Sequence, residues 1–433
     1  MVLSLLNVIE HWSAQSPSAR AWTVSALLIV LTGFLWGFFK RSPPRIKSAA
    51  VGNGRAPACP PGLLKDDLAT PRTNNGNGVV VNGFALDREI TVPFEVGDVR
   101  VSKILVHPIK SCRGTSVQAW RYTPEGLEND RKWCIIEQDS HAVITAREVA
   151  KMVLITPRVE HDSASPHGGR LVISFPEDSG CETFSVPLNP PPDVVANWPV
   201  IDECVMFKIM QVQGYVCSSL DGARTPSEIL SQYFEQPVHL VMKGPRVRPC
   251  PPTHAFPDLK ASAVFQDGYP FLVASEESLE EVGRVISAYA ANESPEAQIG
   301  QFDRERWRAG DIKIERFRPN IVFKGSGVPF AEDMWRQVII RPSAPSGDVS
   351  EPESRTFTLV SKCARCLLPN VDTVSGTRDA AVPYKVLLKF RRNKDPGRMS
   401  KPCFGCNAVV CGEGIVKVGD RVEVKEWASG IGV

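Results

Sequence analysis

The chain has 433 residues, 23% of them charged, with a formal net charge of +2 at pH 7. That length accommodates two ordinary domains and a tail, and the near balance of charge excludes a body built to coat nucleic acid. The 12 cysteines are irregularly spaced, which does not suit a disulfide scaffold and reads as free thiols in a reducing compartment.

The first feature along the chain is WTVSALLIVLTGFLWGFF, Trp22 to Phe39, an uncharged apolar run. As a helix it extends roughly 27 Å, close to the ~30 Å hydrocarbon core of a bilayer. Trp22 and Trp36 sit near its ends, where amphipathic rings favour the interface. No small-residue cleavage site follows, and residues 1–21 are long for the leading region of a signal peptide. Lys40, Arg41, Arg45 and Lys47 come directly after, against Arg20 just before. This asymmetry predicts a single-pass N-terminal anchor over residues 22–39 with the C-terminal bulk in the cytosol. A short anchor of this kind suits the mitochondrial outer membrane, with the endoplasmic reticulum as the alternative. Residues 40–95, rich in Pro, Gly, Asn and Ser, are predicted to be a disordered tether.

Regular patterning begins near Val96. VRVSKILVHPIKS reads as a strand running into a proline-containing turn; KWCIIEQ, KMVLITPRVE, RLVISF and VMFKIMQV read as further strands. TPSEILSQYF opens a helix, with Thr225 as N-cap, Pro226 at the first position and Glu228 closing a capping box. SEESLEEVGRVISAYA is the clearest amphipathic helix, with Leu279, Val282, Ile286 and Tyr289 on one face. NIVFKG, QVIIRP, TFTLVSKC and YKVLLKFR are predicted strands, and GIVKVGDRVEVKEW a strand–turn–strand unit with Gly-Asp at its turn. The sum is a β-rich α+β chain, barrel-like, with a few packing helices.

Several groups of residues carry candidate chemistry. Cys363 and Cys366 in SKCARCLLPNVDTVSG, taken with Cys403 and Cys406, form a CxxC…CxxC pattern, formally a structural zinc site. The interval between the pairs is longer than usual and contains the apparent strand YKVLLKF. Buried unliganded thiols, or one thiolate presented to another metal, are the competing readings. Lys110, Ser111 and Arg113 in HPIKSCRG, Arg131 in ENDRKW, and Arg318 and Asn320 in RFRPN all lie at strand ends. Such residues are either solvated edges or a set converging on a phosphate, which Arg grips through its fork and Lys as a point charge. HExxH, GxSxG and GxGxxG are all absent, which removes the signatures of a zinc protease, a serine hydrolase elbow and a dinucleotide fold.

Through HPIKSCRG, DRKW, ITARE, FRPNIVF and CARCLLPNVDTVSG, taken in this order, the chain resembles the MOSC family of molybdenum-cofactor proteins. Within that family it looks most like the membrane-anchored mitochondrial amidoxime-reducing components, over about Val96 to Trp427. The resemblance implies a MOSC N-terminal β-barrel-like domain over 96–243 and a MOSC β-barrel core over 255–430. It implies molybdenum held by molybdopterin, with Cys366 as the thiolate ligand, a soft donor suited to such a metal. Lys110, Ser111, Arg131, Arg318 and Asn320 fall on positions that hold the pterin and its phosphate. Gly268, Tyr269, Pro270 and Phe271 in DGYPFLVASE correspond to a loop touching the cofactor, Ala364 and Arg365 line the Cys366 loop, and Asn407 in CFGCNAVV resembles a polar position near the phosphate. Asp372, shortly after Cys366, is our own candidate for proton delivery.

The implied activity is reduction of N-hydroxylated compounds such as amidoximes and hydroxylamines, with electrons from cytochrome b5 and its flavin reductase. No ferredoxin-like domain follows the core, which implies a separate electron donor. No pyridoxal-phosphate aminotransferase-like domain precedes it, which separates the chain from a full cofactor sulfurase. The alternatives are a carrier of the molybdenum cofactor or its sulfur without turnover, and a zinc-stabilised scaffold at a membrane surface.

Overall fold

The computed structural model describes residues 93–429 apart from 221, 223 and 344–354, together with the short strands Val80–Val81 and Phe84–Ala85. The anchor expected at 22–39 lies outside the described residues, as does most of the tether expected at 40–95. Inside that tether, Val80–Val81 pairs antiparallel with Phe84–Ala85. Among the described residues no helix is long and apolar enough to cross a membrane.

The strand that opens the ordered body, β1 (Arg100–Val106), carries short β2 (Thr115–Val117) at its side. The chain then leaves for a second region containing β3 (Trp133–Glu137), β4 (Thr156–His161), β5 (Gly169–Ser174), β6 (Phe184–Pro187), β7 (Val200–Met206), β8 (Met210–Val216), helix α1 (Pro226–Phe234) and β9 (Val238–Lys243). Here a four-stranded sheet ordered β7–β8–β9–β3 and a three-stranded sheet ordered β6–β5–β4 share one core with α1. Trp133, Ile135, Leu171, Ile173, Leu230 and Leu240 fill it. After that the chain returns through β10 (Phe271–Ser275), α2 (Glu276–Ala291), β11 (Ile321–Lys324), β12 (Trp335–Arg341), β13 (Thr356–Ala364), α3 (Tyr384–Phe390), β14 (Cys403–Val410) and β15 (Arg421–Trp427).

Seven of these strands close a barrel in the order β1–β11–β10–β14–β13–β12–β15 and back to β1. Within the ring only β10 and β11 run parallel, and a parallel pair needs a long crossover, which α2 supplies. Period-two alternation sorts the side chains. Phe271 and Val273 point into the barrel with Phe323, Trp335 and Phe357, whereas Ala274 packs outside against Val282 and Ile286 of α2. The chain is thus the β-rich α+β protein expected, and its barrel draws β1 from well before the other six strands.

Both predicted helices form. Thr225 and Glu228 make each half of the capping box, and α2 buries Val282 and Ile286. Three local expectations are corrected. YKVLLKF is helix α3, because Val386, Leu387 and Phe390 fall on one buried face at helical spacing despite the strand preference of Val, Tyr and Phe. VMFKIMQV spans the turn between β7 and β8, where Phe207 and Lys208 adopt left-handed φ of 52° and 67° without a glycine to announce it. The two strands of GIVKVGDRVEVKEW do not pair with each other: Gly414–Lys417 joins Ala119–Thr123, and β15 joins β12 and β1.

A buried carboxyl sits where β12 begins. Glu332 is wholly buried and accepts hydrogen bonds from Ser275 Oγ at 2.9 Å and Ser278 Oγ at 2.8 Å. Burial, and then the neighbouring Asp333 charge, pushes its pKa up to about 7. A raised folded-state pKa means that folding favours the protonated form, so this stabilisation is complete below about pH 4.5 and fades as pH rises through about 7. Glu332→Gln, which keeps the shape and stays neutral, is expected to flatten that decline. Thermal unfolding across pH 5 to 8 should show it, over a span of up to about 3 kcal/mol.

Candidate functional site

A cleft opens on the outer side of the barrel at its seam with the second core, with about 610 Å³ of space continuous with solvent. The turn after β1 contributes Lys110 and Ser111, the segment before β3 contributes Arg131, and the loop before β10 contributes Gly268 and Tyr269. Arg318 and Asn320 enter from the turn before β11, Arg365 and Cys366 from the loop after β13, and Asn407 from β14. Ten residues named from the sequence therefore converge.

Electrostatics dominates one wall. Arg131 and Arg318 are both buried, and both hold left-handed backbone, with φ of 50° and 60°; Ser111 does the same at 68°. Non-glycine residues in this region are strained, and the strain persists only where the surroundings impose it. Asp130 is what imposes it at Arg131. Its fully buried carboxylate accepts from Arg131 Nη1 at 2.7 and 2.6 Å and from the His107 backbone N–H at 2.8 Å. The Arg131 N–H in turn donates to the His107 carbonyl at 2.7 Å, and Arg131 Nη2 to the Arg318 carbonyl at 3.0 Å. Arg318 Nη1 donates to the Cys112 carbonyl at 2.5 Å, but Arg318 Nη2, although buried, has no hydrogen-bond partner among the described residues.

The pKa directions follow from this packing. Burial, and then the adjacent Arg131 guanidinium, pushes Arg318 down to about 9. Burial followed by the same two arginines lowers His107 well below its usual value, leaving the ring neutral. Burial opposes ionisation of Asp130, but Arg131 and His107 hold its pKa below the ordinary value. Two guanidinium cations therefore face one carboxylate, and the excess positive charge is turned toward the cleft. Lys110 lines the cleft too, donating to the Phe265 carbonyl at 2.8 Å and pairing with Asp267, which offsets its charge.

The same cleft also carries sulfur. Cys363 and Cys366 both line the cleft. Arg365 Nη1 donates to Cys363 Sγ at 3.0 Å and its Nη2 to the Phe317 carbonyl at 2.8 Å, while its Nε is buried without a partner. Among the described residues Cys366 Sγ accepts only from the Leu368 N–H, at a long 3.5 Å. The four-cysteine zinc reading does not survive. Cys406 is buried in the barrel against the Glu332 carbonyl, and Cys403 is buried beside the Lys401 carbonyl. Among the described residues no group of three or more His, Cys, Asp or Glu side chains could hold a metal.

Four other named residues lie away from the cleft. Phe271 faces the barrel core, its ring 5.2 Å from Phe357, so that Leu272 rather than Phe271 lines the site. Pro270 is buried beside it, and Ala364 ends β13 in register with Cys403. Asp372 forms an ion pair with buried Arg316 and accepts the N–H groups of Val374 and Ser375, each at 2.9 Å. Burial works against its ionisation, but these N–H groups and Arg316 hold the pKa below the ordinary carboxylate value. A carboxylate so engaged is a turn-forming anchor and not a proton donor near neutral pH. Asn320 does line the cleft, yet its amide is spent on the Leu272 N–H at 3.1 Å and the Leu105 carbonyl at 3.4 Å, so it holds the wall together.

Asp130, Asp267 and Gln266 were passed over as site residues, although each stands inside or beside a motif already singled out. Asp267 directly precedes Gly268, and Asp130 directly precedes Arg131.

The site fits a group bearing phosphate and a soft metal: among the described residues buried guanidinium nitrogens lack acceptors, and the Cys366 thiol lines the same cleft. Asp130→Asn is expected to leave two buried guanidiniums uncompensated and cost about 3 kcal/mol in thermal unfolding. Arg318→Gln removes a poorly solvated charge, so it should cost much less stability while weakening protection by added inorganic phosphate.

Comparison with known proteins gives two family matches, the MOSC N-terminal beta barrel domain over residues 98–224 and the MOSC domain over residues 260–423. Lys110 and Arg131 fall in the first, Arg318, Cys366 and Asn407 in the second. Over 332 residues the chain is 30% identical to mitochondrial amidoxime-reducing component 1 of Mus musculus, covering 74% of this chain and 81% of that protein. The Homo sapiens counterpart is 28% identical over 333 residues, covering 74% and 82%. Molybdenum cofactor sulfurase of Pyricularia oryzae is 25% identical over 379 residues, covering 77% of this chain and 39% of that protein.

Proposed function

Because the chain belongs to the MOSC family, whose members bind the molybdenum cofactor, we propose that it is a reductase of N-hydroxylated compounds such as amidoximes and hydroxylamines, supplied with electrons by a separate haem and flavin chain. The observation that carries this reading is the cleft itself, which is lined both by the buried Arg131 and Arg318 guanidiniums and by the Cys366 thiol.

When bound, the cofactor would supply two-electron redox chemistry suited to reductive cleavage of an N–O bond. The residues of this chain would do the rest. Arg131, Arg318 and Lys110 would neutralise the phosphate, through charge-assisted bonds stronger than neutral ones. Cys366 would give its thiolate to the metal, and Arg365 fixes the loop on which it sits. Tyr269, in the loop expected to touch the cofactor, and Asn407, expected near the phosphate, line the same cleft and would complete its walls. Asn320 holds Leu272 and Leu105 together, and so keeps the two walls at their spacing. For an amidoxime the balance is two electrons and two protons in, the N–O bond broken, and an amidine and one water out. An anchor over residues 22–39 would place this body at a membrane beside its donors, where shared tethering raises effective concentration.

The similarity to a cofactor sulfurase supports a second reading, a carrier of the cofactor or its sulfur without turnover. One experiment separates the two. Purified protein should contain molybdenum and pterin and reduce an amidoxime with dithionite; molybdenum without reduction would leave the carrier. Cys366→Ala should lower the rate at least a thousandfold and disturb the sulfur shell seen by X-ray absorption at the metal. Cys363→Ala, which removes only an acceptor for Arg365, should keep most of the rate.

A further inference from the structure

Beside the Cys366 wall, the segment between α3 and β14 forms a closed basic loop that the reductase reading leaves unused. Its base is shut by the Cys403 N–H donating to the Arg391 carbonyl at 3.0 Å, and its arms by the Asn393 N–H donating to the Met399 carbonyl at 3.0 Å. The Lys401 and Arg398 N–H groups close two further turns onto the Arg398 and Asp395 carbonyls, at 2.9 and 3.0 Å. A loop bonded to itself in this way is preorganised.

Charge on the loop is sorted by depth. Its carboxylate, Asp395, is buried and accepts the Gly397 N–H at 2.8 Å. Arg391 is turned inward to pair with buried Asp333. Arg392, Arg398 and Lys401 are exposed, and among the described residues none of their side chains takes part in a hydrogen bond or ion pair. Met399, 46% exposed, stands among them, and Leu367, 45% exposed, directly follows Cys366. An exposed methionine carried on the same loop as exposed, unpaired cations suits a transient interface.

The loop is joined to the site. The Arg365 N–H donates to the Pro402 carbonyl at 2.8 Å, so the loop's last residue is bonded to the neighbour of Cys366. The Arg398 charge also lies close enough to Tyr269 in the cleft wall to favour ionisation of that phenol against its burial.

We infer that the Arg392–Lys401 loop is the docking surface for an electron-carrying protein with an acidic face, which brings its redox group to the Cys366 side of the cleft. This rests on the reductase reading. A carrier that passes one electron per encounter docks twice for each N–O bond cleaved, so rapid release matters as much as capture. Exposed charges serve that requirement, since they raise the encounter rate more than the lifetime of the complex.

The test uses the full chain loaded with cofactor, benzamidoxime as substrate, and either reduced cytochrome b5 or dithionite as electron source. Arg392→Glu, Arg398→Glu and Lys401→Glu combined should slow the cytochrome-driven rate about tenfold or more at low salt and flatten its decline with added salt. The dithionite-driven rate should hold, which also shows that the variant folds. The corresponding Gln triple variant should fall between, and Lys425→Glu on β15 should behave as wild type. A triple Glu variant that keeps both the wild-type cytochrome rate and its salt dependence overturns the inference. So does one that loses only binding to phosphatidylserine-containing vesicles, which would make the loop a lipid contact. If dithionite drives no reduction in the wild type, it is the reductase reading that fails. Direct binding of cytochrome b5, lost or kept on charge reversal, then decides the docking surface alone.

Discussion

Closure of the barrel through the antiparallel pairing of β1 with β11 is the constraint from which the site follows. Ile104 lies opposite Ile321, and that register places the turn after β1 beside the turn before β11. Lys110 and Ser111 leave the end of the first strand, Arg318 and Asn320 lead into the second, and the two pairs meet although most of the second core lies between them in sequence. The Leu105 N–H donates to the Asn320 carbonyl at 2.9 Å and the Asn320 N–H to the Leu272 carbonyl at 2.7 Å, so the pairing continues past the strands into the cleft wall. A slip of one residue would turn these side chains into the hydrophobic interior.

On that frame the cleft accumulates unfavourable features that a bound anion would relieve. Burial, and then the neighbouring Arg131 charge, depresses the Arg318 pKa, three residues hold left-handed backbone, and among the described residues the buried Arg318 Nη2 and Arg365 Nε are left without acceptors. Each costs free energy in the empty protein. Asp130 limits the cost without cancelling it, since one carboxylate serves two cations. Functional sites are where such local conflicts are expected to survive, because the ligand resolves them.

What could be read beforehand, and what could not, divides along physical lines. Cationic residues at strand ends were legible because the strands themselves were, and the alternation in VRVSKILV and NIVFKG is plain. Asp130 and Asp267 were invisible as site residues, because a carboxylate that steadies a cation has no signature apart from the cation. The choice between Phe271 and Leu272 depends on strand register, which neighbouring strands set and no single segment reveals. YKVLLKF misled for the opposite reason: its residue types favour strands, while burial of Val386, Leu387 and Phe390 by tertiary packing makes it helical. The paired CxxC motifs placed four thiols on one list, yet β13 and β14 alternate, and Cys406 falls on the interior face.

The loop that follows Cys366 is fastened on several sides. Arg316 pairs with Asp372, Arg113 Nη2 donates to the Thr373 carbonyl at 2.8 Å, and Arg378 reaches the Ala146 and Arg147 carbonyls. Asn370 and Asp379 are tied to each other and to the start of α3 by further bonds. A segment stapled to both halves of the molecule has little conformational freedom left to surrender. Insertion of the prosthetic group should therefore proceed as docking into a finished receptacle, with a heat-capacity change no larger than the surface it covers and no folding lag in its kinetics.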